Sequence, residues 1–246
     1  MSENTKEYKE YYVAFLDILG FKEMVNHKIC AEIYSLFECI KAGSYTNIMF
    51  NCEEVNAFEK IQHKIMSDSI VLYIDASLDD AFFALLFSCQ TLQMCLLNRE
   101  APILLRGGIA YGTLFSEADI IFGKGLTEAY LIESNIAKYP RIVFNNSLLE
   151  QGRKKRSKIS RNLENLVLAR DQDELNFVNF LCIGRIPRFG ETTQYFNRIL
   201  NTSESVLNNS YDASLREKYL WLKNITLRVA KNNNLLIEEI KKENRK

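Results

Sequence analysis

The run from Ala81 to Leu97 (AFFALLFSCQTLQMCLL) constrains this chain more than any other segment. It is apolar on every side of a helix, yet it carries Ser88, Gln90 and Gln93 and is flanked by Asp79, Asp80 and Arg99. A membrane span needs about 20 consecutive apolar residues, so this run is short for one and reads as a helix buried in a protein core. With 246 residues and 47% hydrophobic content, the chain is long enough to build one sizeable core around it, or one domain with an appendage.

The segments before and after that helix read as strands and further helices. Residues 11–18 (YYVAFLDI) are aromatic and β-branched and stop at Gly20, which predicts a central strand with Asp17 near its end. From Phe21 to Lys41, apolar positions recur at helical spacing, giving two helices or one bent helix, with Gly43 as its terminator. Residues 57–66 and 69–75 predict two strands joined at Ser67-Asp68-Ser69, a turn composition that sets Asp68 on a hairpin tip. Beyond the buried helix come strands at 103–111 and 113–122 and a helix at 125–137.

This order, β-α-α-β-β-α-β-β-α, fits an α+β, ferredoxin-like split βαβ sheet of the palm type better than a doubly wound sheet. In such a sheet the first strand lies beside the central hairpin, which predicts that Asp17 and Asp68 meet. Residues 140–183 add a strand (RIVF), a basic stretch from Arg153 to Arg161 that reads as a solvated loop, and a hairpin. From Thr192 onward the pattern is helical. The expected division is a main α+β domain over 1–185 and a C-terminal helical extension over 186–246.

Charge and cysteine content narrow the functions. Thirty-one Lys and Arg balance thirty-one Asp and Glu, so no global field draws the chain to nucleic acid or an anionic membrane. The six cysteines form no C-x-x-C pair, and only His27 and His63 could join them, which disfavours zinc. A polar start without a secretory pattern, together with scattered thiols, predicts a cytoplasmic protein.

Two carboxylates have the placement that metal-assisted chemistry needs. Asp17 emerges from an apolar strand in F-L-D-I-L-G-F, where Gly20 lets the backbone turn into a helix; taken alone it could also cap that helix. Asp68 alone is ordinary turn chemistry. Held together, they could share two divalent ions that neutralise a triphosphate and activate an attacking hydroxyl.

The series FLDILGF, KIMSD (64–68), RGGIAYG (106–112) and GKGLTEAYLIES (123–134) resembles the ordered motifs of class III nucleotide cyclase domains, over about residues 11–145. Within that group, RGGI with AYLIES and AKYPRIV (137–143) is most similar to the bacterial cyclases of Pycsar anti-phage defence, which make cyclic CMP or cyclic UMP. The resemblance implies that Asp17 and Asp68 are the metal-binding aspartates, with the Ile18 carbonyl as backbone ligand to two Mg²⁺ or Mn²⁺ ions. It places Gly20 and Phe21 in the turn around the triphosphate, and Lys64 where purine cyclases read the base. The family's transition-state asparagine falls on Thr127 and its arginine on Leu131, while the adenine-reading aspartate falls near Ile120, beside Asp119. These departures argue against an ordinary purine cyclase, while the Pycsar resemblance implies CTP or UTP; they also require a cation from elsewhere, for which Arg106 and Arg141 are candidates, with Lys124 behind them. Phe50, Tyr73, Tyr111 and Phe122 could narrow a base pocket, but aromatics beside strands are more often core, and they assign no base.

The resemblance also implies a homodimer with sites at the interface and a nucleoside triphosphate as substrate, while the balanced charge and the short apolar run predict neither nucleic acid nor a membrane span as partner. Two other readings remain open at this point: a catalytically degenerate, nucleotide-binding regulatory domain, motivated by Thr127 and Leu131, and a palm-type polymerase, which shares the paired aspartates.

Overall fold

The computed structural model describes residues 6–44, 57–188, 190–235 and 237. The first half alternates strands and helices as β1 (Lys9–Ile18), α1 (Phe21–His27), α2 (Cys30–Ser44), β2 (Gln62–Met66), β3 (Ser69–Asp75), α3 (Ala81–Leu97), β4 (Leu105–Glu117), β5 (Ile120–Phe122) and α4 (Lys124–Asn135). The second half adds β6 (Ile142–Phe144), α5 (Asn146–Lys154), α6 (Lys158–Val167), β7 (Leu168–Arg170), β8 (Asn176–Val178), α7 (Thr192–Asn209) and α8 (Ala213–Asn232).

The strands form one mixed sheet in the order β2-β3-β1-β4-β6-β8-β7, with β5 folded back on β4. Its first four strands are antiparallel neighbours in the split βαβ arrangement, and the architecture is α+β. β6 joins β4 in parallel and extends the sheet on that side.

Alternation along β1 decides which layer each residue enters. Tyr12, Ala14, Leu16 and Ile18 face α3 and share its core with Phe82, Phe83, Leu86 and Phe87. Tyr11, Val13, Phe15 and Asp17 take the other face, where Val13 packs with Val71, Tyr73, Ala110 and Ala129. α3 buries 16 of its 17 residues, which explains a sequence with no polar stripe. Burying one such Leu or Phe side chain contributes about 1.5–3 kcal/mol. Its two glutamines are held by neighbouring backbone: Gln90 Nε2 donates to the carbonyls of Leu166 and Asn179 at 2.6 and 2.5 Å, and Gln93 Nε2 donates to that of Pro140 at 3.2 Å. Among the described residues no helix is long and apolar enough to cross a membrane.

α7 and α8 dock on the far end of the sheet, where Tyr195, Phe196, Ile199, Leu222 and Ile225 share a core with Met94, Leu97, Val143 and Phe177. The β7–β8 turn anchors α8 through Asp171, which accepts hydrogen bonds from Trp221 Nε1 at 2.7 Å, Arg141 Nη1 at 2.7 Å and Arg228 Nη2 at 3.4 Å. Tyr139 lies parallel to Trp221, with ring centroids 5.2 Å apart.

Several expected boundaries shift, each for a visible reason. The strand expected from residue 57 begins at Gln62, because Phe58–Lys60 form a 3₁₀ turn. The two strands expected at 103–111 and 113–122 are one long strand, β4, and its hairpin turn comes at Ala118, whose φ is +47°. Gly112, which falls between the two expected strands, makes room for the backbone of Gly125 in α4. α2 runs through Ser44, one residue past the expected terminator Gly43. The basic stretch Arg153–Arg161 is not a solvated loop: it spans the end of α5 and the start of α6, and both Arg153 and Arg156 pair with Glu164.

Candidate active site

The end of β1 and the tip of the β2–β3 hairpin meet through the backbone. Asp17 pairs with Ser69 in the β1–β3 register, and one step on, the Ile18 N–H donates to the Asp68 carbonyl at 3.0 Å. The turn that presents Asp68 is a tight two-residue link, with Ser67 in the left-handed region at φ +57°. Both carboxylates are half-buried at one end of the sheet.

Asp17 has a second cross-strand partner, Arg106 on β4. The Arg106 Nε–H donates to Asp17 Oδ2 at 3.1 Å, and the same nitrogen lies 2.7 Å from Glu133 Oε1. Glu133 projects from α4 and is 3% exposed. Its carboxyl is raised above the usual glutamate range, chiefly by burial; Arg106 opposes that shift, while the charges of Asp17 and Asp68 reinforce it. Asp17, Asp68, Arg106 and Glu133 thus form one electrostatic group.

The Gly residues of RGG explain how α4 reaches this group. Gly108 leaves no space for a side chain, since a Cβ there would stand 2.4 Å from the Ala129 carbonyl oxygen and 2.7 Å from Glu133 N. Farther along, a Cβ on Gly112 would stand 2.9 Å from Gly125 N. Gly125, Ala129 and Glu133 are the buried face of α4, so two small residues let the helix settle onto β4 and the third position delivers a carboxylate to Arg106. Glu133 was not among the candidates drawn from sequence. Its signal was there, as an acidic residue in register with Gly125 and Ala129 at helical spacing.

The other candidate residues distribute unevenly around this group. Gly20 takes φ +77° at the turn from β1 into α1, and Phe21 is buried against Phe37 rather than open to a ligand. Lys64 lies on β2 and donates to the Ala118 carbonyl in the β4–β5 turn. Lys124, Thr127 and Leu131 fall along the exposed side of α4, with Leu131 41% exposed and Thr127 Oγ1 donating to Gly123 O at 3.3 Å.

Arg141 does not join the aspartates. Its backbone carbonyl accepts from Gly107 N, but its guanidinium is 1% exposed, ion-paired with Asp171 and Asp173 and packed over the rings of Tyr139 and Trp221. Of the aromatic candidates, Tyr73 is buried with its hydroxyl 2.7 Å from Ser116 Oγ, Tyr111 and Phe122 are partly exposed, and Phe50 lies outside the described residues.

No group of three or more His, Cys, Asp or Glu side chains suited to hold a metal occurs among the described residues. Two carboxylates remain at the β1–hairpin junction. Such a pair of hard oxygen donors fits Mg²⁺ or Mn²⁺, which bind through one or two carboxylates and complete their shell with water and phosphate oxygens.

No family model matches the sequence, and no curated protein matches it. Among solved structures, the chain is similar to the catalytic core of a rhodopsin-guanylyl cyclase with converted specificity in complex with ATPαS, at 14% identity over 72% of this chain and 98% of that one, with a TM-score of 0.49. A bacterial light-regulated adenylyl cyclase matches at 12% identity over 71% of this chain and 52% of that one, with a TM-score of 0.45. An adenylate/guanylate cyclase/hydrolase from Silicibacter pomeroyi matches at 16% identity over 70% of this chain and 98% of that one, with a TM-score of 0.42.

Proposed function

We propose that this chain is a nucleotide cyclase that closes CTP or UTP into the 3′,5′-cyclic nucleotide and releases diphosphate. The observation that carries the reading is the junction of Asp17 and Asp68, set by the 3.0 Å bond from Ile18 N–H to the Asp68 carbonyl, with Arg106 beside it. Asp17 and Asp68, with the Ile18 carbonyl, would hold two Mg²⁺ or Mn²⁺ ions. When bound, these ions neutralise the triphosphate, lower the pKa of the 3′-hydroxyl and stabilise the departing diphosphate.

In the reaction the O3′–Pα bond forms as the bond from Pα to the β-phosphate oxygen breaks. Diphosphate leaves with that electron pair, and the 3′ proton passes to water. Among the described residues Arg106 is ion-paired with Asp17, and in this reading it takes the role that Leu131 cannot fill. Ile120, Phe122, Tyr130 and Leu131 leave apolar surface exposed around β5 and α4, which supports a second copy of the chain completing the site as a homodimer. The similarity of RGGI, AYLIES and AKYPRIV to the Pycsar cyclases supports a pyrimidine product and an anti-phage signalling role; the scattered thiols support a cytoplasmic location, and the helical pattern from Thr192 supports residues 1–185 as the catalytic domain.

The test is incubation of purified full-length protein with ATP, GTP, CTP or UTP in Mn²⁺ or Mg²⁺, with products identified by mass spectrometry. Cyclic CMP or cyclic UMP is expected. No cyclic product from any of the four, or undiminished turnover in Asp68→Ala, overturns the proposal. The exposed Leu131 favours a second reading, a nucleotide-binding regulatory domain without turnover, for which thermal stabilisation by a nucleotide that is not consumed is the signature.

A further inference from the structure

The Arg106 guanidinium stands between two carboxylates, and its Nε carries one hydrogen. That hydrogen is directed at Asp17 Oδ2, 3.1 Å away. Glu133 Oε1 is nearer, at 2.7 Å, yet it lies off the N–H direction and has no hydrogen-bond donor among the described residues. Buried polar oxygens are rarely left so, and one this close to a cation is an acceptor awaiting its hydrogen. The same Nε lies within reach of both carboxylates.

We infer that Glu133 is a positioning residue, the alternate seat of Arg106. The guanidinium, bonded to Asp17, turns onto Glu133 when a divalent ion takes Asp17. The inference rests on the cation site proposed above. An arriving divalent ion repels the guanidinium and competes for the same Asp17 oxygen. Without a second carboxylate, Arg106 would either block the ion or be driven into solvent. With Glu133 it yields Asp17 and stays beside the site as a fixed positive charge, ready to face phosphate oxygens.

The structure shows why this seat is rigid. Glu133 sits on a helix packed closely against Gly108, and its carboxylate is 4% exposed. Arg106 and Asp17 are 26% and 21% exposed, which leaves the Asp17 side open to an incoming ion while the Glu133 side is closed.

The test uses the full chain and Mn²⁺ alone, without nucleotide. Crystals grown with Mn²⁺ are expected to show the ion on Asp17 and the Arg106 N–H on Glu133. Mn²⁺ on Asp17 with Arg106 still bonded to it, or with Arg106 released from both carboxylates, overturns the inference and leaves the cation site standing. Absence of Mn²⁺ from Asp17 at saturating concentration overturns the cation reading and this inference together.

Titration of Mn²⁺ by electron paramagnetic resonance supplies the solution arm. Glu133→Gln is expected to weaken Mn²⁺ binding about tenfold, as loss of an outer partner of a metal ligand does. Glu133→Asp keeps the charge but withdraws it by one methylene, and is expected to weaken binding to a similar extent. Binding like wild type in Glu133→Asp, beside weak binding in Glu133→Gln, overturns the seat and assigns Glu133 a simple charge effect. If either variant fails to fold, the wild-type crystals decide.

Discussion

Asp17 and Arg106 are cross-strand partners of β1 and β4, and their side chains meet on the α4 face of the sheet with Nε 3.1 Å from Oδ2. The pair joins the strand end that carries the first aspartate to the strand that carries RGG. Its partial burial makes it more than a surface ion pair, and its exposed side leaves Asp17 reachable.

Asp17→Asn and Asp68→Asn are each expected to lower cyclase turnover about a thousandfold, since metal-assisted charge stabilisation supplies several kcal/mol of the barrier reduction. Asp68 sits on the hairpin tip, so the thermal midpoint of Asp68→Asn should move little, whereas Asp17→Asn also loses the charge that faces Arg106. Turnover within tenfold of wild type in either variant removes that aspartate from the reaction.

Gly108→Ala inserts a methyl group where the nearest atoms are the Ala129 carbonyl oxygen at 2.4 Å and Ile132 Cβ at 2.6 Å. Helix backbone cannot rotate aside as a side chain can. Overpacking of this kind destabilises by about 1–3 kcal/mol. Chemical denaturation should show that loss, and turnover should fall with it, because α4 would carry Glu133 away from Arg106. An unchanged midpoint would mean that α4 is less tightly seated than the 2.4 Å approach implies.

Asp171→Ala removes a carboxylate that receives Arg141, Trp221 and Arg228. The Arg141 guanidinium, 1% exposed, would keep Asp173 alone. Breaking a buried pair by deleting one partner costs about 3–5 kcal/mol, and urea unfolding should register a loss of that order. Arg141→Met, assayed at a temperature where it stays folded, should retain turnover. Loss of turnover in a folded Arg141→Met protein would return Arg141 to the catalytic group.

His63 titrates below the ordinary 6.5, because burial disfavours the imidazolium and Lys41 and Lys64 repel it. The unfolded chain therefore takes up a proton at a higher pH than the folded one. This contribution to stability is full above 6.5 and is lost as pH falls from there through the folded value. His63→Gln should flatten that part of the stability profile, measured as urea midpoints between pH 8 and pH 5. A variant whose midpoints fall with acid as steeply as wild type would show that other groups set the slope.

Much of this architecture is legible from local pattern. The unbroken apolar run of α3, the alternation of β1 and the Ser-Asp-Ser turn each specify their element with little tertiary help. The order of those elements then places Asp17 beside Asp68. The long strand β4 is harder to read, because a glycine that ends a strand and a glycine that admits a helix look the same until Gly125 is known to sit opposite Gly112. The Arg153–Arg161 run misleads for a similar reason: its counter-charge, Glu164, lies on the next helix and turns basic residues into a packed junction. Glu133 lay within a motif that was already prominent, yet its chemistry depends on which face of α4 meets the sheet.

Trp221 is the chain's one tryptophan, and its indole is stacked on Tyr139 and bonded to Asp171. Intrinsic fluorescence excited at the red edge therefore reports one event, the seating of α8 on the β7–β8 turn. Circular dichroism of the whole chain, followed beside that emission, would reveal whether the helical end melts together with the sheet or detaches first.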